Sequence, residues 1–276
     1  MPAIESDVPL ALLVASGVQA ALCLLGLAAQ WHYWRRRREP ALLAYWPVGG
    51  GEFAQAAMLT IVCGIATQTA LVHFFGGLND TLWQLLVPGG GMQIGVLLGA
   101  LLSVVWLLRP PPSPAADQAP AASGHYSCLE GVRIFVAIVP LTIGASFLWL
   151  AGLDALGVEA PRQELIDLFA RADAPGPFLA LSFVAVILAP LTEEIVFRGG
   201  LFRFARGRVP RWLALTGPAA IFAALHFNLS SFLPLLLLGV LFALAYERTG
   251  RLIVPIVAHS LFNLNTILLV LCGAAQ

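Results

Sequence analysis

Lysine is absent from this chain, and charge of either sign is scarce. Of 276 residues only 11% are charged, all fifteen basic ones are arginine, and fifteen acidic ones balance them to a formal net charge of zero. Without a basic stripe there is nothing for a phosphate backbone to meet, which excludes nucleic acid as a partner. Cysteine is limited to Cys23, Cys63, Cys128 and Cys272, with no CxxC spacing, so these read as unpaired small apolar residues. HExxH and the usual short zinc-ligand spacings are missing, and no internal repeat is evident. With 59% hydrophobic residues and a mean hydropathy of +0.86, the chain lacks the polar surface of a soluble globule.

What is present is apolar length. Stretches of about 17 to 25 residues mark membrane helices, and eight occur, at roughly 8–30, 53–75, 92–108, 132–153, 177–203, 211–227, 231–247 and 252–272. The expected fold is therefore all-α, a polytopic bundle of about eight transmembrane helices. The first stretch is too long, and too lacking in a small-residue cleavage site, for a signal peptide, and reads as a retained helix. Arginines cluster at 35–38, at Arg109 and Arg133, across Arg198 to Arg211, and at Arg248 and Arg251. An eight-helix path that begins outside places all of them on the cytoplasmic side, as the positive-inside bias requires, with both termini extracytoplasmic. Richness in Ala, Arg, Gly and Pro points to a GC-rich bacterial genome, and so to the bacterial inner membrane.

Composition divides the chain into an N-terminal three-helix region (1–109), a Pro/Ala-rich cytoplasmic linker (110–130) and a five-helix core (131–276). The acidic outer loop from Asp154 to Gly176 contains Pro161 followed by RQELIDLFARA, the pattern of a short amphipathic helix at the interface. Gly95 and Gly99 form a GxxxG in the third helix, a signal for close helix contact.

The core's polar residues are few. Pro177 to Arg198 reads PFLALSFVAVILAPLTEEIVFR, apolar enough to enter a bilayer, yet it carries two adjacent carboxylates near its end. Charge at membrane depth costs roughly 2.5 to 3.5 kcal/mol per residue, so such groups pair or line a working cavity. Glu194 and Arg198 share a helical face, whereas Glu193 is turned about 100° away; Arg198 should neutralise Glu194 and leave Glu193 available. His226 follows Phe222 by four residues, and Asn263 follows His259 by the same step. Helix lengths put Glu193 and His226 at matching depths, about 21 and 24 Å from the nearest helix ends. Pro190, Pro218 and Pro255 supply kinks to these helices.

EExxxR at Glu193 to Arg198, FxxxH at Phe222 to His226 and HxxxN at His259 to Asn263, in this order on successive apolar segments, resemble the CPBP intramembrane proteases. That family takes in the CAAX prenyl endopeptidases and the lysostaphin resistance protein A-like, or Abi, proteins. The resemblance covers about residues 135–272; the first three helices carry no matching motif. It implies a glutamate-dependent endopeptidase in which Glu193 activates a water, His226 helps position it, and His259 and Asn263 donate hydrogen bonds to the tetrahedral oxyanion. Glu194 and Arg198 would hold the site's shape. The chemistry is coherent, because a carboxylate in a poorly solvated cavity suits proton transfer and preorganised donors stabilise developing charge.

Other readings stay open at this stage. Two carboxylates and two histidines could ligate Zn2+ with an open position for water, although the metal-free mechanism, with no cofactor, fits the spacing better. A non-catalytic membrane scaffold or immunity factor could keep the fold, and a transporter could use the intramembrane charge, though paired broken helices are not apparent. As an enzyme, its partners would be membrane lipids and a peptide or lipid-anchored protein substrate whose identity the sequence does not contain.

Overall fold

The computed structural model describes residues 9–35, 41–75, 81–106, 124–158, 169 and 175–273. The described chain is helical: α1 (Leu10–Arg35), α2 (Gly50–Phe75), α3 (Thr81–Trp106), α4 (Gly124–Ala155), α5 (Pro175–Arg206), α6 (Arg211–Ala224), α7 (Phe232–Thr249) and α8 (Ile253–Leu271). Seven of these are long and apolar enough to cross a membrane. The outward faces of α1 and α2 carry exposed Leu13, Leu24, Leu25, Ile61 and Ile65, the lining that lipid tails rather than water accept. The protein is an integral membrane protein of the all-α class.

The exception is α6. Its 14 residues span about 21 Å, short of the roughly 30 Å hydrocarbon core. The apolar run read as 211–227 continues past the helix, which stops at Ala224 because the chain turns there: Phe227 sits at φ +49°. Two other bounds differ from expectation. The third helix begins at Thr81 and carries Pro88 inside it, and α4 begins at Gly124, inside the stretch read as linker. Residues 107–123 and most of the amphipathic stretch after Pro161 lie outside the described residues. Phe169 is described, and it is buried against Leu181 and Ala185 of α5.

Contacts fix the relative direction of several helices. Tyr33 bonds Glu130 and Gln30 bonds the Ala137 carbonyl, so α1 and α4 run antiparallel. At the arginine end, Arg206 and Arg211 both hold Glu247 of α7, the latter at 2.7 Å, and Arg208 donates to the Val48 carbonyl. Phe53 stacks on Phe204 at 4.0 Å between centroids, which brings the start of α2 to the same end. The arginines of α5, α6 and α7 thus gather on one end, as the charge pattern predicts. Arg198 does not join them: it is 2% exposed in the core and has no part in orienting the bundle.

Glycines set the closest approaches. A Cβ on Gly95 would lie 2.3 Å from the Cys63 carbonyl oxygen and 2.7 Å from the Gly64 Cα, and one on Gly99 2.6 Å from the Thr60 Cα. The GxxxG therefore lets α3 lie backbone to backbone on α2. From there the other side of α3 reaches α5.

Candidate active site

The helix that carries the carboxylates is not a uniform α-helix. Within α5, Val184–Leu188 and Ile195–Phe202 are π-helical, and Ala189–Glu194 between them is α-helical. Wide turns of this kind often occur at functional sites, and the first of them ends just before a proline. Pro190 has no N–H to donate. The Ala189 N–H bonds the Val184 carbonyl, so the Ala185 carbonyl has lost its α-helical donor, and its π-helical donor would be Pro190. Asn263 of α8 supplies the missing hydrogen from Nδ2 at 2.8 Å.

The two glutamates have opposite environments. Glu194 is completely buried, and its Oε1 accepts from Arg198 Nη1 at 2.9 Å. His259 Nδ1 lies 2.9 Å from the same oxygen. Arg198 also donates to the Gly239 carbonyl at 3.2 Å, and its guanidinium lies 4.8 Å from the Phe222 ring centre and 5.2 Å from that of Phe242. Those rings, together with the carboxylate, replace the water that the cation gave up. Phe222 is thus packing, 1% exposed.

Glu193 retains 21% exposure of its side chain. It opens on a cavity of about 430 Å³ that is also lined by Thr192, Val196 and Phe197 of α5, Phe222, Leu225 and His226 from the end of α6, and Met92, Gln93 and Val96 of α3. The depths worked out from helix lengths bring Glu193 and His226 to this one space. His226 arrives differently from expectation: it lies beyond the end of α6, exposed, with Nδ1 2.8 Å from the Phe222 carbonyl. A carbonyl only accepts, so Nδ1 carries the hydrogen and caps the helix's last turn. In the neutral ring Nε2 is then the bare nitrogen.

His259 and Asn263, one turn apart on α8, do not line that cavity. The His259 ring is 3% exposed, stacked on Phe242, and its Nε2 is 3.8 Å from Glu193 Oε2. The expected pairing of Glu194 with Arg198 is present, and His259 is its third member, which the sequence did not indicate. The α3 residues were also unanticipated, and the sequence offers no local signal for them. Among the described residues no three His, Cys, Asp or Glu side chains converge as a metal-ligand set, and all four cysteines are unpaired.

Comparisons with known proteins find relatives of this chain. A 24.3 kDa uncharacterized protein of Escherichia coli is 33% identical over 129 residues, covering 44% of this chain and 59% of that protein. The membrane-embedded CAAX protease MroQ of Staphylococcus aureus is 40% identical over 87 residues, covering 29% and 35%. The chain thus spans less than two thirds of the length of either relative. No solved structure gives a significant match. Residues 175–265 match the family model for type II CAAX prenyl endopeptidase Rce1-like. All three motifs, from Glu193 to Asn263, fall inside those bounds, so the segment that carries them is similar to the Rce1-like type II CAAX prenyl endopeptidases.

Proposed function

We propose that this protein is an intramembrane endopeptidase that hydrolyses a peptide bond of a membrane-associated polypeptide with a water activated by Glu193. One observation carries the reading: of two adjacent glutamates, Glu194 is buried and held by Arg198 and His259, while Glu193 faces the same cavity as His226. The family match and the name of the MroQ relative support a CAAX-type or related peptide-processing substrate.

In the reaction, the Glu193 carboxylate takes a proton from water and the hydroxide oxygen bonds the scissile carbonyl carbon. His226, with Nδ1–H fixed on the Phe222 carbonyl, accepts a hydrogen bond from that water at Nε2 and holds it in line. The carbonyl oxygen becomes an oxyanion. His259 reaches it through Nε2, which lies 3.8 Å from Glu193 Oε2, while Nδ1 stays on Glu194. Asn263 keeps a second Nδ2 hydrogen beside the one on Ala185, and this supports its role as the other donor. As the C–N bond breaks, Glu193 returns its proton to the departing nitrogen. No metal enters these steps.

The test compares membrane proteomes of cells carrying the wild type and Glu193→Gln. Uncut precursors should accumulate in the variant; identical proteomes would overturn the reading.

A further inference from the structure

The family match covers residues 175–265, yet one wall of the cavity comes from outside it. Met92, Gln93 and Val96 of α3 line the space that holds Glu193 and His226. Two of these are apolar. Gln93 is half-buried and makes no hydrogen bond to any described residue. The amides of Gln19, Gln30 and Asn263 in other helices are each bonded to protein. A primary amide in a membrane helix without a partner is costly, since hydrocarbon offers it nothing. Thr192, the neighbouring polar group of the lining, has its hydroxyl committed to the Leu188 carbonyl at 2.7 Å.

We propose that Gln93 is a substrate-binding residue whose carboxamide hydrogen-bonds a backbone peptide unit flanking the bond that Glu193 attacks. The inference rests on the endopeptidase reading above and adds the partner of that cavity's third wall. A carboxamide matches a peptide unit in both directions, donating Nε2–H to its carbonyl and accepting its N–H at Oε1. Such a contact ignores side-chain identity and fixes the depth of an extended chain, as strand addition does at a sheet edge. It also gives the N-terminal helices a part in the chemistry: the α2–α3 glycine contact sets where Gln93 stands.

The experiment uses the precursors that accumulate with Glu193→Gln. A synthetic peptide spanning the cleavage site, and analogues in which the N–H of either flanking peptide unit is replaced by an ester oxygen, are cleaved by purified wild type, Gln93→Met and the lipid-facing control Ile94→Met. Gln93→Met should raise KM and lower kcat/KM about three- to tenfold, the usual reach of one neutral hydrogen bond, without lowering the temperature of thermal unfolding. On one of the two ester analogues the difference between wild type and Gln93→Met should fall below about twofold, because the contact it reports is already gone. Gln93→Ala takes the same place if the methionine variant does not accumulate. Equal losses on the peptide and both esters, or no loss at all, while Glu193→Gln is inactive, overturn the role of Gln93 alone. An active Glu193→Gln, or the absence of any precursor, overturns the endopeptidase reading and this inference with it.

Discussion

His259 Nδ1 and Arg198 Nη1 approach the same oxygen of Glu194, each at 2.9 Å. Glu194 thereby ties α5 to α8 and fixes which nitrogen of His259 faces Glu193. A carboxylate that holds an imidazole by one nitrogen sets its tautomer and its orientation together. The adjacent glutamates are thus separated by surroundings rather than by sequence.

The first prediction follows from that separation. Glu193→Gln should lower cleavage by roughly 10² to 10⁴, the range for loss of a general base, with unfolding unaffected. Glu194→Gln removes the charge facing Arg198, and breaking a buried pair costs about 3 to 5 kcal/mol. Its detergent-purified form should melt well below the wild type. Cleavage assays and thermal scans on the two variants check both, and an exchange of the two phenotypes would reverse the assignment.

In the proposed chemistry Asn263 carries two loads that can be separated. Asn263→Ala leaves the Ala185 carbonyl unsatisfied, at about 1 to 3 kcal/mol of stability, and it also removes an oxyanion donor, at roughly 10² to 10³ in kcat. Pro190→Ala restores an N–H in reach of that carbonyl. The double variant should recover the melting temperature of Asn263→Ala without recovering its kcat. Asn265→Ala breaks only the 2.6 Å bond to Gln19, so it should lose some stability and keep kcat.

Metal dependence has its own measurement. In the proposed chemistry, prolonged treatment with 1,10-phenanthroline or EDTA should leave the cleavage rate unaltered. Inactivation reversed by added Zn2+ would favour the metalloprotease alternative.

Topology can be read with thiol reagents in a background where the four native cysteines are replaced by serine. A cysteine at Leu156, 78% exposed beyond α4, should react with an impermeant maleimide added to whole cells, and one at Ser113 should not. The reverse labelling pattern would invert the orientation.

Gly95→Ala places a methyl where the Cys63 carbonyl oxygen already is, so α2 and α3 must separate and the melting temperature should fall. Gly144→Ala, with nothing within 4 Å of the new methyl, should gain up to about 1 kcal/mol from helix propensity. Thermal scans of the two variants in one detergent compare them directly.

Much of this was legible in the chain. Apolar length gave the helices, arginine placement gave their common end, and i,i+4 spacing paired Glu194 with Arg198. His226 was misplaced onto a helix because hydropathy continues through Leu225 and Phe227, while the turn there depends on backbone conformation, which an apolar run does not encode. The bond from Asn263 to Ala185 was invisible for a similar reason: a 3.6-residue period assumes that each carbonyl finds its donor four residues on, and Pro190 breaks that only once the π turn is known. Gln93 lies a hundred residues from Glu193, and nothing local to either position announces their meeting.

The π turn at Val184–Leu188 amounts to one residue more than an α-helix would use over the same rise. Since each residue of an α-helix advances the face by about 100°, that single extra residue decides which way everything after it points. Deleting one of the five would leave EExxxR intact letter for letter while swinging Glu193 off the cavity and Glu194 away from His259. The aim of the carboxylates is therefore written upstream of the motif that bears them, as a count of residues rather than as their identities.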